Sequence, residues 1–323
     1  MGGPVSIMFQ QLDLKKNEQG DITGVQLKDE LTDKEIIVNA KAVINATGVF
    51  TNEVIKMDDH LHRDLVKPSR GSHLVVDPKF LGGETAMMIP KTSDGRVLFL
   101  IPWKGKVLVG TTDIESNKAL YEPKIQPEEV KFLLNNTEEY LDHPPHQGDV
   151  KTTFSGLRPL AAPKDENAKT KEISRGHQII WTDSGLCNLI GGKWTTFRKM
   201  GQDVVDSVIS KKGWQSKSST SSDIKINNDN LIRNEINNID TDSLKKIIRE
   251  EMVVTLEDLI SRRTRILFLD AEFTLSILEH WAEILKMELG KDEKWKKKQI
   301  KDVISLINEV YSPLTHYNQP VTN

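Results

Sequence analysis

The alternation of apolar and polar positions predicts strands through the first fifty residues. An apolar segment begins at Val5, and apolar residues alternate with polar ones over 22–27. Two short apolar runs, 36–38 and 42–44, predict two further strands. The last run leads directly into Asn45-Ala46-Thr47-Gly48, so we expect this strand to end in a turn of small residues.

A second strand-rich block follows between residues 72 and 113, and it contains a hairpin. The runs 96–101 and 106–109 are separated by a short loop at 103–105. Three later apolar segments also predict strands, near 151–154, 178–182 and 186–190.

Helical patterning appears in three places. Gln126-Pro127-Glu128-Glu129 begins one helix, because proline suits the first turn and acidic side chains favour its positive end. We expect Pro144 and Pro145 to end it. The turn Gly191-Gly192-Lys193 begins a second helix. Most of 242–311 is patterned as helix, so a small helical domain should close the chain.

Composition and charge exclude several classes of protein. The 323 residues suggest two domains, and no apolar run is long enough to span a bilayer. A net charge of -3 provides no basic field for nucleic acid, so we expect no nucleic-acid partner. Met1–Met8 shows no import signal. Cys187 lies among apolar residues, which indicates a buried small side chain and not a reactive thiol.

Two glycine-containing turns are candidate ligand contacts. The segment 45–48 follows a strand, where open α/β sheets bind nucleotides, although alone it also fits an ordinary turn. In 191–196, two glycines permit close approach of the backbone to a planar ligand, and the helix N-terminus provides positive potential. The simpler interpretation is a helix start capped by Thr195 or Thr196.

Several charged or titratable residues are candidates for binding and catalysis. Arg158, Arg175 and Lys193 could bind a phosphate, but each alone also fits an ordinary surface charge. His73, directly before an apolar run that predicts a strand, could accept a proton from an alcohol or be structural. The basic segment 260–265 fits a phosphate patch less well than a helix end that anchors the helical region. The histidines lack the spacing of a metal site, so we expect none.

Taken together, the motifs closely resemble FAD-dependent glycerol-3-phosphate dehydrogenases. The matching motifs occur in the family's order: 45–48, 71–73, 102–103, 110–113, 155–160, 173–175 and 191–196. Trp194 and the segments 92–97 and 260–265 resemble the mitochondrial branch more than the bacterial one. The similarity covers most of 40–213 and resumes near Glu250.

The resemblance implies an α/β fold of the glutathione-reductase-like FAD-binding type, with a strand-rich substrate region and a C-terminal helical domain. The domains it implies are a partial FAD-binding domain at 1–67 and 183–213, a substrate region at 68–182, a linker at 214–242 and a helical domain at 243–323. The sequence contains no Gly-x-Gly-x-x-Gly after an N-terminal strand. We therefore expect an N-terminally truncated chain that lacks one βαβ unit and binds FAD weakly by itself.

The resemblance also implies roles for individual residues. Flavin contacts are implied for Ala46, Thr47, Gly48, Gly191, Gly192, Thr195 and Thr196. Substrate and phosphate contacts are implied for Arg158, Arg175 and Lys193, and His73 is the candidate base. His73, Arg158 and Lys193 together form the candidate catalytic set, and we expect these three residues and Arg175 to converge on one pocket.

The implied reaction oxidises sn-glycerol 3-phosphate to dihydroxyacetone phosphate, with hydride transfer to FAD and electrons passed to ubiquinone. The family resemblance places such a flavoprotein in glycerol metabolism, at the periphery of the mitochondrial inner membrane, and permits a homodimer. The sequence has no Asp-x-Asp-x-Asp-Gly calcium loop, so calcium control is not expected. Two alternatives stay open: another FAD-dependent amine or amino-acid oxidase relative, or a non-catalytic truncated product that acts only through its helical domain.

Overall fold

The computed structural model describes residues 9–162, 176–225 and 239–311, which belong to two compact units. The first unit comprises 1–69, 115–119 and 157–226, and the second comprises 70–114, 120–156 and 227–323. The domain boundaries expected from the sequence stay a prediction. The first predicted strand begins outside the described residues at Val5, and residues 226–238 of the predicted linker also lie outside them.

Twelve strands and six helices are present in the described part of the chain. The strands are β1 (Phe9–Lys16), β2 (Ile22–Asp29), β3 (Glu35–Asn39), β4 (Val43–Asn45), β5 (Val66–Val76), β6 (Met87–Ile89), β7 (Leu98–Trp103), β8 (Lys106–Gly110), β9 (Ile114–Glu115), β10 (Thr152–Ala161), β11 (His177–Trp181) and β12 (Leu186–Gly191). The helices are α1 (Thr51–Asp58), α2 (Pro127–Glu138), α3 (Phe197–Lys212), α4 (Thr241–Glu250), α5 (Ala271–Glu288) and α6 (Glu293–Leu306).

The first unit contains two three-stranded sheets. One is the antiparallel sheet β1–β2–β3, and the other has the order β11–β12–β4. Strand β12 is antiparallel to β11 and parallel to β4, with Asn188 opposite Asn45. Helix α3 packs against this sheet because Val204 and Val208 are buried beside Cys187. Burial of apolar side chains of this size contributes about 1.5–3 kcal/mol each.

The second unit contains a larger sheet with the strand order β10–β5–β8–β7–β6. The predicted hairpin is confirmed as β7 and β8, with Trp103 paired to Lys106 across the turn. Helix α2 buries Val130, Leu133 and Leu134 in the core of this sheet.

The predicted end of α2 at Pro144 and Pro145 is wrong, because the helix ends at Glu138. Its last turn contains no basic side chain, and Glu138 and Glu139 place negative charge there. Negative charge is unfavourable at the C-terminal end of a helix, where the helix dipole is also negative.

The helices that close the second unit form a core of their own around Leu278 and Trp281. Helices α4, α5 and α6 each begin after an aspartate whose carboxylate accepts a backbone N–H three residues later. In the same unit, the hydroxyl of Thr152 on β10 contacts the carbonyl oxygens of Leu267 and Tyr311, at 3.3 and 3.2 Å. Within the described ranges, no helix combines the length and apolar character needed to cross a bilayer.

The basic segment 260–265 anchors this helical region, as the favoured interpretation of the sequence predicts. Arg262 forms ion pairs with Glu257 at 2.6 Å and with Asp258 at 3.0 Å. Arg263 Nε donates a hydrogen bond to the carbonyl oxygen of Glu251. These arginines therefore connect neighbouring turns of the same region.

Candidate functional site

A cavity of about 570 Å³ lies within the first unit, beside the turn that follows β12. This volume is within the range of roughly 300–1,000 Å³ that is typical of small-molecule sites. Three segments of the chain line it: Ala46 and Gly48 after β4, residues 157–160 of β10, and Leu189, Gly191, Gly192, Lys193, Trp194, Phe197 and Met200.

The turn at Gly191 and Gly192 requires glycine at both positions. Their φ angles are +69° and +86°, in the left-handed region that other residues rarely adopt. A Cβ atom on Gly191 would lie 2.6 Å from the carbonyl oxygen of Gly176, and one on Gly192 would lie 2.5 Å from Met200 Cε. The backbone at this side of the cavity is therefore bare, in the sense that it carries no side chains, and neighbouring atoms leave little space for a side chain at either position.

A buried pair of asparagines holds the other glycine-containing turn. Asn45 Nδ2 donates to Asn188 Oδ1 at 2.8 Å and to the carbonyl oxygen of Thr51 at 3.2 Å. Asn45 Oδ1 accepts from the hydroxyl of Thr47 at 2.7 Å. Both asparagines are at most 2% exposed. Sequence reasoning did not assign a role to Asn188, because its partner lies 143 positions away.

Arg158 and Lys193 are the charged residues among those that line the cavity, and the other lining residues are apolar or glycine. Arg158 is half-buried on β10, and Lys193 is exposed at the turn. Charges at an apolar, partly enclosed surface interact more strongly with a ligand than charges in bulk water do. The cavity can therefore attract an anionic ligand with an apolar body.

Helix α3 begins beside the cavity through a short 3-10 turn, Trp194–Thr196. The hydroxyl of Thr196 donates to the carbonyl oxygen of Lys193 at 3.0 Å, and no threonine side chain caps α3. Thr196 occupies the N-cap position of α3, so the predicted helix start is confirmed, whereas the predicted cap by a threonine side chain is wrong. Thr47, Thr195 and Thr196 belong to the lining segments but are not themselves among the lining residues.

The two remaining candidates are His73 and Arg175. His73 belongs to the second unit and lies inside β5, whereas the sequence predicted it immediately before a strand. The strand is longer than its apolar run because β5 continues to pair with β8 at this point, with His73 opposite Gly110. Arg175 lies outside the described residues. The convergence of His73, Arg158, Arg175 and Lys193 on one pocket stays a prediction.

Cys187 is completely buried, as the sequence predicts. Burial disfavours the thiolate and raises the pKa of the Cys187 thiol to about 11. In the described part of the chain, no three His, Cys, Asp or Glu side chains are grouped so that they could hold a metal ion.

Two models of known protein families match the chain, one over 7–197 and the other over 240–296. The model of the family described as "FAD dependent oxidoreductase" matches residues 7–197, which is more than half of the sequence. The chain belongs to this family. A second model, described as the C-terminal domain of alpha-glycerophosphate oxidase, matches residues 240–296. The predicted FAD-binding fold and helical C-terminal region are thereby confirmed.

Curated relatives agree with the resemblance seen in the sequence. The mitochondrial glycerol-3-phosphate dehydrogenase of Mesocricetus auratus is 42% identical over 190 residues, which are 58% of this chain and 26% of that protein. The probable mitochondrial glycerol-3-phosphate dehydrogenase of Caenorhabditis elegans is 40% identical over 204 residues, or 62% of this chain and 28% of that protein. The matched region thus spans about a quarter of the length of these relatives.

A solved structure has the same fold. The glycerol-3-phosphate dehydrogenase of Bacillus halodurans, determined in complex with FAD, aligns with a TM-score of 0.75 and 24% identity. The alignment covers 93% of this chain and 68% of that chain.

The cavity fits the ring system of a flavin. The bare backbone at Gly191 and Gly192 permits close approach of a flat ligand, and Trp194, Phe197 and Met200 contribute apolar surface. Lys193 and the start of α3 provide positive potential, which suits a ring that becomes negative when it is reduced. Among the described residues that line the cavity, Gly48, Gly191 and Gly192 are the glycines against which such a ring could lie, and their role as flavin contacts stays a prediction.

Proposed function

We propose that the protein oxidises sn-glycerol 3-phosphate to dihydroxyacetone phosphate, with FAD as hydride acceptor and a quinone as the next electron acceptor. The observation that carries the proposal is the pair of cations, Arg158 and Lys193, beside the bare backbone of Gly191 and Gly192 in one apolar cavity. The names of the curated relatives and of the C-terminal family model support the same substrate.

Two cations favour a phosphate ester over an amino acid. A phosphate monoester carries close to two negative charges at neutral pH, whereas an amino-acid carboxylate carries one. The guanidinium of Arg158 can donate two parallel hydrogen bonds to phosphate oxygens, and Lys193 adds a compact charge. An amino acid would also place its ammonium group near these cations without an acidic partner among the lining residues.

Each residue then has a distinct task in the reaction. Bound FAD supplies a two-electron acceptor for the hydride lost from the C2 carbon. Arg158 binds and orients the substrate, and Lys193 with the start of α3 offsets the negative charge that develops in the cavity. His73 accepts the hydroxyl proton of C2 on an imidazole nitrogen, which completes the conversion of an alcohol to a ketone. Arg175 is proposed as a further phosphate contact.

The proposed cellular location is based on the quinone as electron acceptor and on the names of the curated relatives. Curated relatives carry the word mitochondrial in their names. A quinone is dissolved in the bilayer, so we propose that the protein works at the surface of the mitochondrial inner membrane and assembles there as a homodimer.

Substrate specificity tests the proposal directly. Purified full-length protein is mixed anaerobically with sn-glycerol 3-phosphate, its enantiomer, glycerol, glycine or D-alanine, and bleaching of the flavin absorbance is followed. We expect rapid bleaching with sn-glycerol 3-phosphate alone. Bleaching by an amino acid, with no response to the phosphate ester, would indicate an amino-acid oxidase instead. A protein that reduces no dye with any of these substrates, even when FAD is added in excess, would favour the non-catalytic alternative.

A pair of arginine variants tests the assigned cavity. Arg158→Ala should lower kcat/KM for glycerol 3-phosphate by about a hundredfold, which corresponds to loss of a charged hydrogen-bonded contact. Arg198 on α3 is exposed, bonds to Gln202 and Ser221, and is not among the cavity residues, so Arg198→Ala is the matched control. Equal kcat/KM values for the two variants would contradict the assignment.

A further inference from the structure

A buried carboxylate in the second unit accepts more hydrogen bonds than its helix requires. Glu129 lies in the first turn of α2 and is 4% exposed. Its Oε2 accepts from the backbone N–H of Gln126 at 2.9 Å and pairs with Arg70 at 2.8 Å. Its Oε1 accepts from the hydroxyls of Ser72 at 2.8 Å and Thr112 at 2.6 Å. Only the Gln126 contact belongs to the helix, so the others connect it to the sheet.

Those contacts join three neighbouring strands. The Ser72 hydroxyl on β5 also lies 2.7 Å from the Ser155 hydroxyl on β10, and the Ser72 backbone N–H donates to Thr112 Oγ1 at 2.9 Å. Thr112 follows the end of β8 by two residues. Since the sheet order is β10–β5–β8, Glu129 lies at a junction that connects a central strand with both of its neighbours.

His73 occupies the other face of the same junction. Successive side chains of a strand point to opposite faces, so His73 points away from the face occupied by Ser72. Its ring stacks on Phe154 of β10, with a distance of 5.1 Å between ring centroids and an interplanar angle of 16°. On the other side it covers Gly110, where an added Cβ would lie 2.2 Å from His73 Cδ2.

The two faces are therefore coupled through the backbone. Phe154 directly precedes Ser155, and His73 directly follows Ser72. Gly110 lies two residues before Thr112, whose hydroxyl donates a hydrogen bond to Glu129. A shift of the strands that are bonded to Glu129 would therefore also move Phe154 and Gly110, the residues that the imidazole ring contacts.

We propose that Glu129 is a positioning residue, which sets the location of the His73 ring from the opposite face of the sheet. The catalytic consequence rests on the proposed role of His73 as proton acceptor. The positioning itself does not, since it follows from the hydrogen bonds and ring contacts within the second unit.

Glu129→Gln removes the negative charge and one hydrogen-bond acceptor of the side chain but keeps its volume. Glutamine has one oxygen and one NH₂ group, whereas the carboxylate presents two accepting oxygens. In one orientation the NH₂ group faces Arg70 and the Gln126 N–H, and in the other it faces the hydroxyls of Ser72 and Thr112. One side of the junction therefore loses its acceptor although the side chain keeps its size.

The experiment uses full-length protein labelled with ¹³C at histidine rings. The His73 signal, assigned by its loss in His73→Gln, reports the stacking on Phe154 through the ring-current shift. We expect Glu129→Gln to move this signal and to lower kcat by roughly ten- to a hundredfold with little change in KM for glycerol 3-phosphate. Ser72→Ala, a smaller change at the same junction, should move the signal in the same direction.

Asp258→Asn is the matched control, because Asp258 is also a buried carboxylate of the second unit. It pairs with Arg262 and accepts the backbone N–H groups of Val254 and Thr255. This variant should leave the His73 signal and kcat unchanged even if its melting temperature falls.

The outcomes separate the two ideas. An unchanged His73 signal in both Glu129→Gln and Ser72→Ala would overturn the positioning proposal, and so would an equal change in Asp258→Asn. A shifted signal, together with full turnover in Glu129→Gln and His73→Gln, would support the positioning of His73 but remove its role as base.

Discussion

Gly191→Ala tests the geometry of the cavity most directly. Gly191 has φ +69°, and a Cβ added there would lie 2.6 Å from the carbonyl oxygen of Gly176 and 3.4 Å from the Cβ of Ala161. The closest atom belongs to the backbone, so it cannot move aside without distortion of the turn. The variant therefore combines backbone strain with a steric clash.

The two effects can be separated by a control on the same unit. A left-handed conformation costs a residue other than glycine about 1–2 kcal/mol, and overpacking adds about 1–3 kcal/mol. Gly213, at the end of α3, has φ +64°, and a Cβ added there would meet no atom within 4 Å, so Gly213→Ala measures the strain alone. We expect Gly191→Ala to lower the free energy of unfolding by about 2–5 kcal/mol and Gly213→Ala by about 1–2 kcal/mol.

The assay is equilibrium unfolding in urea, followed by tryptophan fluorescence for each purified variant. Gly192→Ala should be intermediate, because the atoms that it meets at 2.5 and 2.6 Å are the flexible end of Met200. The flavin content of Gly191→Ala should also fall, since the added methyl group distorts a lining segment. The reasoning is refuted if Gly191→Ala is no more destabilising than Gly213→Ala.

Three other residues provide tests of particular contacts. Arg158→Lys should have a kcat/KM between those of wild type and Arg158→Ala, because lysine keeps the charge but not the planar fork, and steady-state kinetics measures this. Burial raises the pKa of Asp58, but hydrogen bonds from Lys16 and Ser184 outweigh it and hold that pKa below its ordinary value. The resulting stabilisation is present above an ordinary Asp pKa of about 4 and is lost as the pH falls through the lower folded-state pKa. Asp58→Asn should therefore lower the free energy of unfolding by about 1–3 kcal/mol near neutral pH. The free energy of unfolding of this variant should also depend less on pH in the acidic range, as urea unfolding across pH would show. Cys187 should react with a thiol reagent after unfolding but not in the native protein, because it is fully buried and its thiol pKa is raised to about 11; rapid native labelling would contradict this.

Local patterns determined most of the secondary structure. The alternation over 22–27 was recognised because a strand exposes alternate residues to opposite environments. The hairpin between 96 and 109 was recognised from two β-branched runs joined by a short loop. The start of α2 was recognised from Pro127 and its acidic neighbours for a similar reason, since the requirements of a first helical turn are met by residues close in sequence. The end of α2 was not, because proline marks where a helix cannot continue and not where it must stop.

The glycine turn of the site was also visible in the sequence. Two adjacent glycines after an apolar run and before a helical pattern indicate a backbone that other residues cannot adopt, and Gly191 and Gly192 both have positive φ angles. The structure adds that Ala46, Gly48, Arg158 and Lys193 line one cavity with them. The roles of Arg175 and His73 stay predictions.

Only the tertiary structure decided which distant residues meet. Asn45 and Asn188 pair because β4 and β12 are parallel neighbours, and Glu129 reaches Ser72 because α2 packs against β5. Periodicity reports which face of an element is buried, but it carries no information about which other element covers that face. Hydrogen bonds between positions far apart in sequence depend on strand order and register, and these are set by the packing of the whole unit.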